Sequence, residues 1–226
     1  MLKTYQQVRV FEIDHGFVRM LKEVFADSSG LTIVEGDGLK TWPEQAQIHG
    51  VPDILLGNLP YSTGSVMIAG FMEAQFLPPT MVFTLQREVA QRMISGPGKK
   101  EYSSFSVLCQ TYYQVEIAGD LKPGAFYPAP EVTSTILRLT RLEQSELLPD
   151  PKIFAQILRG SFASRRKTLQ NNLRVLQIPK PNNQGFYTWD EISQIAKELG
   201  MDPGRRAEEF APPAFRNLAR ALGPQN

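Results

Sequence analysis

The first 142 residues alternate between short apolar runs and amphipathic stretches, and this alternation restricts the fold more than any other feature. Strand-like runs occur at residues 8–14, 31–37, 52–58 and 80–85. Between the first two, apolar residues recur every three or four positions over residues 17–25, which predicts a helix. Strands that alternate with helices favour an α/β domain with a mainly parallel sheet.

The rest of this region continues the same pattern. Helices are predicted at residues 65–76, from residue 88, and at 103–111. An extended segment is predicted at residues 112–117, and an alternating strand at 133–139 is expected to close the sheet.

The pattern changes after Leu142. Residues 143–151 are polar and end in Pro-Asp-Pro, which is typical of a linker, and the pattern beyond them is helical with no strand candidate. We therefore predict a domain over residues 1–142, a linker over 143–151 and a small all-helical domain over 152–226.

Composition excludes several classes of protein. A hydrophobic fraction of 42% and a charged fraction of 21% are ordinary for a soluble globular chain. There is no apolar run of membrane-spanning length and no signal-peptide core, so we expect a cytoplasmic protein without a membrane segment. The single cysteine, Cys109, excludes an internal disulfide, and with only His15 and His49 beside it we expect no metal site.

Charge is distributed unevenly along the chain. Residues 1–150 carry 12 Lys/Arg and 17 Asp/Glu, a net of −5, whereas residues 151–226 carry 12 and 6, a net of +6. A basic tail on a mildly acidic body indicates a polyanionic partner for the tail.

The stretch Asn58-Leu59-Pro60-Tyr61 directly follows the third apolar run. Ligands of open α/β sheets bind at the carboxyl ends of strands, although these residue types equally suit an ordinary turn. An exocyclic amine on a nucleobase is a poor nucleophile, so a site that activates it must accept hydrogen bonds from its hydrogens. The Asn58 side-chain oxygen could be one acceptor and the carbonyl of Leu59 or Pro60 the other, while Tyr61 offers a stacking face.

Several motifs together resemble one family, the ribosomal RNA adenine N6-dimethyltransferases of the small-subunit (kasugamycin-resistance) type. The similar segments are Phe-Glu-Ile-Asp at 11–14, Glu-Gly-Asp-Gly-Leu at 35–39, Asn-Leu-Pro-Tyr at 58–61, the segment 86–92, the loop 126–134 and the basic segment 161–169. The resemblance implies a Rossmann-like class I methyltransferase sheet followed by a helical domain. It also implies dimethylation of two adjacent adenines near the 3′ end of 16S rRNA.

The family's S-adenosylmethionine contacts map onto the strand ends. The resemblance implies that Glu12 accepts from the ribose hydroxyls and Asp37 from the adenine amine of the cofactor. It implies that cofactor binding involves Glu12, Ile13, Asp37, Gly38 and Asn58. An acid at a strand end, considered alone, is more often a cap or loop residue.

The resemblance also assigns the catalytic residues. It implies that Asn58, Leu59, Pro60 and Tyr61 form the catalytic loop and that Phe126 stacks on the far face of the target adenine. The run of positive charges in the tail predicts that RNA phosphates are bound by Arg159, Arg165, Arg166 and Lys167, with Lys99 and Lys100 of a glycine-rich loop as weaker candidates. A charge run on a surface is often merely a solvated face, and some of these arginines could instead stabilise the fold. The expected partner is small-subunit rRNA within a pre-30S particle, bound by a monomer.

One departure from the family pattern concerns the start of the chain. Family members carry a strand and a Glu-x-Gly-x-Gly-x-Gly loop upstream of Phe-Glu-Ile-Asp, and only seven residues precede Val8 here. That strand lies at the sheet centre in this fold, so we expect a break between the strands at 8–14 and 52–58, with two exposed edges. The sequence is either a fragment or a misplaced start, or the protein is a non-catalytic RNA-binding or ribosome-assembly protein that has lost cofactor binding.

Overall fold

A computed structural model describes residues 4–143, 147–181 and 184–224. These form two compact units, Met1–Val51 and Pro52–Asn226, and each is described by itself. This division differs from the boundary expected at residues 143–151, of which 144–146 lie outside the described residues. The assignment of a separate helical domain to 152–226 stays a prediction.

The first unit is a two-stranded sheet with two helices. Strand β1 (Val8–Glu12) pairs in parallel with β2 (Leu31–Glu35), from Val8 opposite Leu31 to Glu12 opposite Glu35. Helices α1 (His15–Val24) and α2 (Gly38–His49) follow the two strands. The pattern predicted β1, α1 and β2, whereas α2 was not predicted.

An aspartate begins each of these helices. The Asp14 side chain accepts from the backbone N–H groups of Gly16 and Phe17, at 2.7 and 3.0 Å. The Asp37 side chain accepts from the N–H of Leu39 at 3.0 Å. These bonds satisfy helix N–H groups that have no partner inside the helix, which explains why both helices begin directly after the strand ends.

The second unit contains a mixed four-stranded sheet. Its strands are β3 (Ile54–Asn58), β4 (Thr80–Gln86), β5 (Tyr113–Leu121) and β6 (Ser134–Arg141), in the order β3-β4-β6-β5. Only β3 and β4 are parallel, because β5 returns through a hairpin loop to β6 and β6 runs antiparallel to both β4 and β5. The expectation of a mainly parallel sheet is wrong for this unit. The strand at 133–139 does not close the sheet, since β6 lies inside it and β5 lies at the edge.

Three helices cover this sheet, namely α3 (Gly64–Glu73), α4 (Arg87–Ile94) and α5 (Ser104–Tyr112). Strand β4 buries alternate residues, with Met81, Phe83 and Leu85 on the buried face. The strand was predicted from its apolar run, and its burial follows the period of two that a strand gives to side chains.

The basic tail is helical, as predicted. Helices α6 (Pro151–Ser161), α7 (Leu169–Leu173), α8 (Trp189–Glu198) and α9 (Pro212–Leu222) pack in the same unit as the sheet. The ring of Phe154 meets Tyr112 of α5 edge to face at 6.4 Å, and the hydroxyl of Tyr102 donates to the carbonyl of Phe210 at 2.8 Å. These buried contacts join the tail to the α/β layer.

The expected break in the sheet is present among the described residues. Strands β1 and β2 form one sheet and β3 to β6 another, so β1 pairs only with β2 and β3 only with β4 there. Within the described ranges, no helix is both long and apolar enough to cross a bilayer.

Candidate functional site

In the second unit, four strand ends lie side by side along one edge of the sheet: the last residues of β3, β4 and β5 and the first residue of β6. Asn58 at the end of β3 lies opposite Thr84 of β4, and Gln86 at the end of β4 lies opposite Ser134 at the start of β6. Ser134 in turn lies opposite Leu121, the last residue of β5. The stretch Asn58-Leu59-Pro60-Tyr61, the start of α4 and the loop 122–133 therefore all begin or end at this edge.

Asn58 presents an uncommitted amide at this edge. The residue is exposed, and its side chain forms no hydrogen bond with the residues that the structure describes. The next backbone N–H, that of Leu59, still donates to the carbonyl of Thr84 at 3.3 Å. The strand pairing thus holds the backbone around Asn58 and leaves its side-chain oxygen available to an external donor.

The two carbonyls after Asn58 are not equivalent. The Pro60 carbonyl accepts from the N–H groups of Thr63 and Gly64, at 3.1 and 2.8 Å, as the first turn leading into α3. The Leu59 carbonyl has no hydrogen-bond partner within the described ranges. Sequence reasoning left the second acceptor open between Leu59 and Pro60, and the geometry favours Leu59.

Close packing under the loop explains two glycines. Leu59 is buried, and a Cβ added at Gly64 would lie 2.8 Å from Leu85 Cδ2 and 3.1 Å from Leu59 Cβ. A Cβ added at Gly57 would lie 2.8 Å from Leu59 Cδ2. Carbon atoms do not approach this closely without displacing one another. The two glycines therefore allow Leu59 to lie beneath the loop.

Tyr61 is fixed by a partner that sequence reasoning did not single out. Its hydroxyl lies 2.5 Å from Ser134 Oγ, and Ser134 is fully buried between its neighbours on β4 and β5. Because the serine belongs to the sheet, the bond ties the tyrosine ring to the rigid part of the unit. The serine ends the loop motif at 126–134, which was the only indication of it in the sequence.

Phe126 lies on the loop that ends at the same serine. A short 3₁₀ turn, Pro123–Ala125, precedes it, and the Phe126 N–H donates to the carbonyl of Pro123 at 3.1 Å. The ring is partly exposed. Since the loop begins after Leu121 and ends at Ser134, which pair with each other, it is anchored on both sides at the sheet edge.

A groove of about 460 Å³ runs along this edge. The lining residues come from the end of β4, the start of α4 and the end of the loop: Gln86, Arg87, Glu88, Gln91, Val132 and Thr133. The Arg87 N–H donates to the carbonyl of Thr133 at 3.1 Å, which joins the two walls. The segment 86–92, noted in the sequence for its resemblance alone, thus forms one side of this groove.

The predicted cofactor residues of the first unit meet at one end of its sheet. Glu12 ends β1, and its carbonyl accepts from the N–H of Gly36 at 2.8 Å, one residue before Asp37. Ile13, which is exposed, follows Glu12, and Gly38 begins α2. The fifth predicted contact, Asn58, belongs to the second unit.

The carboxylates of Glu12 and Asp37 each accept a hydrogen bond from a nearby backbone N–H through one oxygen and leave the other oxygen available. Glu12 Oε1 accepts from the Asp14 N–H at 2.8 Å, and Asp37 Oδ1 caps α2. The other oxygen of each has no hydrogen-bond partner in the described part of the chain, and both residues are partly exposed. Carboxylate oxygens accept from hydroxyl and amine donors, so this end of the sheet fits a ribose and an adenine amine.

Two of the predicted RNA-binding arginines are engaged within the protein. Arg159 pairs with Glu73 at 3.0 Å. The Arg165 guanidinium contacts Glu208 Oε2 through Nε at 2.5 Å and donates to the carbonyls of Lys99 and Lys100. Arg159 and Arg165 therefore both have a role inside the fold. The sequence suggested such a role for some of the basic residues but did not show which ones.

The other predicted cations are free of such contacts. The side chains of Arg166, Lys167, Lys99 and Lys100 are exposed and form no ion pair within the described residues, and the same holds for Arg174. Arg166 and Lys167 lie in the turn between α6 and α7, not on a helix face.

Other reactive groups do not gather into a second site. No group of three or more His, Cys, Asp or Glu among the described residues could hold a metal ion. Cys109 is buried in α5, and burial raises the pKa of its thiol well above the ordinary value. A thiol kept protonated in this way is a poor nucleophile.

Comparison with known proteins agrees with this geometry. The family model for ribosomal RNA adenine dimethylase matches residues 1–200. The chain is 36% identical over 215 residues to a ribosomal RNA small subunit methyltransferase A from Treponema denticola, covering 94% of this chain and 71% of the relative. It is 33% identical over 226 residues to the protein of the same name from Syntrophotalea carbinolica, covering 99% and 81%.

Solved structures show the same fold. A dimethyladenosine transferase from Plasmodium falciparum superposes with a TM-score of 0.76 at 22% identity, over 96% of this chain and 83% of that one. The 23S rRNA methyltransferase ErmE superposes with a TM-score of 0.61 at 19% identity, over 98% and 84%. The fold is therefore that of the class I rRNA methyltransferases. With the family model matching most of its length, this chain belongs to the ribosomal RNA adenine dimethylase family.

Proposed function

We propose that this chain is an rRNA adenine-N6,N6-dimethyltransferase that uses S-adenosylmethionine and acts on two adjacent adenines near the 3′ end of small-subunit rRNA. The observation that carries the proposal is the pair of uncommitted acceptors, the Asn58 side chain and the Leu59 carbonyl. They lie next to a tyrosine whose hydroxyl is held by Ser134. The small subunit methyltransferases among its relatives support the choice of RNA.

The two acceptors activate the adenine amine. The N6 lone pair is delocalised into the ring, and accepting hydrogen bonds from both N6 hydrogens opposes that delocalisation. Asn58 Oδ1 accepts one hydrogen and the Leu59 carbonyl the other. After the first methylation one N–H remains, so a single acceptor suffices in the second round and the pocket must accommodate one methyl group.

The aromatic residues hold the base. Tyr61 stacks on one face and Phe126 on the other, each contributing about 1–3 kcal/mol. An adenine must leave its helical stack to enter such a site, and stacking offsets part of that cost. The bond from Tyr61 to Ser134 fixes the ring before the base arrives.

The proposed cofactor contacts in the first unit lie at the ends of β1 and β2. We assign the ribose hydroxyls of S-adenosylmethionine to Glu12 and its adenine amine to Asp37, with Ile13 and Gly38 as further contacts. When bound, S-adenosylmethionine would supply an electrophilic methyl group on its sulfonium sulfur, with the neutral thioether as leaving group and one N–H proton of the amine lost. The free oxygens of Glu12 and Asp37 support this assignment.

The proposal extends to the partner, the location and the oligomeric state of the protein. Exposed cations suit RNA phosphates, and a pre-30S particle is the partner that we propose. We further propose that the protein acts in the cytoplasm, as a monomer and without a metal ion.

The Asn58→Ala variant tests the function. We expect the unsubstituted chain to transfer labelled methyl groups from S-adenosylmethionine to small-subunit rRNA, and the variant to transfer none while it binds the RNA with unchanged affinity. Equal loss of transfer and of RNA binding would show that the stretch is a structural turn. RNA binding without transfer by the unsubstituted chain would favour a non-catalytic assembly protein.

A further inference from the structure

The strongest unassigned feature is the way in which Arg165 joins two basic loops. One is the glycine-rich loop 96–100, between α4 and α5, and the other is the turn 164–167, between α6 and α7. We call the residues that hold them together, Arg165 and Glu208, the clamp.

The clamp grips the first loop through its backbone. The Arg165 guanidinium donates to the Lys100 carbonyl through one terminal nitrogen and to the Lys99 carbonyl, at 2.8 Å, through the other. Its Nε faces Glu208 Oε2 at 2.5 Å, and the Glu208 carbonyl accepts from the N–H of Gly98 at 2.8 Å. Three of the five N–H donors of the guanidinium therefore face an oxygen of the protein, two through hydrogen bonds and Nε through the ion pair with Glu208.

This arrangement determines which cations are free. The clamp uses the backbone carbonyls of Lys99 and Lys100, so both ammonium groups remain exposed. Arg166 and Lys167 directly follow Arg165 and are also exposed and unpaired among the described residues. The four exposed cations therefore lie on two loops that Arg165 joins.

The contacts of Arg165 favour a positioning role. Turning its guanidinium towards an RNA phosphate would give up two carbonyl acceptors and the ion pair with Glu208 together. Arg166 and Lys167 lose only hydration when they bind a phosphate. Glu208 would also be left without its cation, although its side chain is only 20% exposed.

We propose that Lys99, Lys100, Arg166 and Lys167 form one phosphate-binding surface for RNA, and that Arg165 is its positioning residue and not a phosphate ligand. The proposal rests on the proposed function for the identity of the partner as RNA. It concerns binding alone, so its test needs neither the cofactor nor methyl transfer.

The test is a cycle of variants in which RNA affinity is measured against salt. The probe is a fragment from the 3′ end of small-subunit rRNA, titrated between about 50 and 200 mM salt, where each phosphate contact contributes about 0.7–0.9 to the slope of log K against log salt. We expect Lys99→Ala with Lys100→Ala to lower the slope by about 1.4–1.8. Arg166→Ala is the matched control. It should lower the slope by about 0.7–0.9, the contribution of one phosphate contact, whether or not Lys99 and Lys100 are also substituted.

The prediction that separates the two roles concerns Arg165→Ala. If Arg165 positions the loop, this single substitution lowers the slope by more than one contact, and it changes nothing further when Lys99 and Lys100 are already alanine. If Arg165 binds a phosphate directly, it lowers the slope by one contact in both backgrounds, and the proposal is overturned.

Two further variants keep the test decisive where Arg165→Ala disturbs folding. Arg165→Lys keeps the charge but cannot bond two carbonyls and a carboxylate in the same plane, so the slope should still fall. An unchanged slope would contradict the clamp. Glu208→Gln removes a negative charge, which by electrostatics alone strengthens RNA binding, whereas loss of the clamp weakens it. A rise in affinity would overturn the proposal.

Failure of the proposed function gives a different result. A chain that transfers no methyl group can still show the clamp cycle in RNA binding. Conversely, the chain could transfer methyl groups while the effects of Arg165→Ala and of the two lysine substitutions on the slope add up. The proposed function would then stand, and the positioning role of Arg165 would be refuted.

Discussion

Adding a single methyl group at Gly64 should distort the catalytic stretch, and Gly70 in the same helix provides the matched control. Both glycines lie in α3. A Cβ at Gly64 would lie 2.8 Å from Leu85 Cδ2 and 3.1 Å from Leu59 Cβ, whereas a Cβ at Gly70 would meet nothing within 4 Å. The same substitution to alanine therefore tests crowding at one site and helix propensity at the other.

The expected effects have opposite signs. Alanine in a helix interior is favoured over glycine by about 0.8–1 kcal/mol, so Gly70→Ala should stabilise the protein by roughly that amount. Overpacking in a core costs about 1–3 kcal/mol. Leu59 presents its Cβ, which moves only with the backbone, and Leu85 Cδ2 is a side-chain end that must repack among buried neighbours to make room. Gly64 is also the first residue of α3, where the gain in propensity is small, so we expect Gly64→Ala to destabilise by about 1–2 kcal/mol.

Urea denaturation measures both variants. Trp189 lies in the second unit and Trp42 in the first, so a Trp42→Phe background leaves one fluorescent reporter in the unit of interest. Because Leu59 must shift to admit the new methyl group, Gly64→Ala should also lower kcat for methyl transfer with little change in RNA affinity. If Gly64→Ala stabilised the protein as Gly70→Ala does, the packing argument would be refuted.

Two further predictions concern hydrogen bonds. Tyr61→Phe leaves the buried Ser134 hydroxyl without its partner and should cost about 1–3 kcal/mol, whereas Ser134→Ala should cost about 0.5–1.5 kcal/mol, because the partly exposed tyrosine can bond to water. The double variant should cost less than the sum, and strict additivity in denaturation would contradict the bond. Hydrogen bonds from Lys180 and Thr188 lower the pKa of Glu191 from 4.5 to about 2. The stabilisation that the ionised Glu191 carboxylate gives to the folded protein is therefore complete above about pH 4.5 and is lost as the pH falls towards 2. Glu191→Gln should remove this part of the acid dependence of unfolding, and an identical pH profile in the variant would exclude it.

The sequence predicted the elements that depend on local residue patterns, but it did not predict the order of the strands in the sheet. The helical period predicted α1, and the alternation at 133–139 predicted β6, because each depends on one buried face of a local segment. Helix α2 was not predicted, although the capping aspartate at its start is visible in the sequence. Strand order depends on contacts between distant residues, and so the insertion of β6 between β4 and β5 was not anticipated.

Site prediction divides in the same way. The residue types at Asn58 and Tyr61 suit amine activation and stacking at a strand end, but they equally suit an ordinary turn, and the other family motifs were needed to choose between the two. The choice between the carbonyls of Leu59 and Pro60 depends on which of them α3 uses for its first turn. That choice could not be made from residue types.

By itself, the sequence determined the alternation of strands and helices, the basic helical tail and the motifs that place the chain in its family, since each is written in local residue order. Only the tertiary structure decided which polar groups are already satisfied. It joins Tyr61 to Ser134 across 73 positions and Arg165 to a loop 65 positions away. The physical reason is that a hydrogen-bonding group has a limited number of partners, and only the folded chain shows which of them are taken.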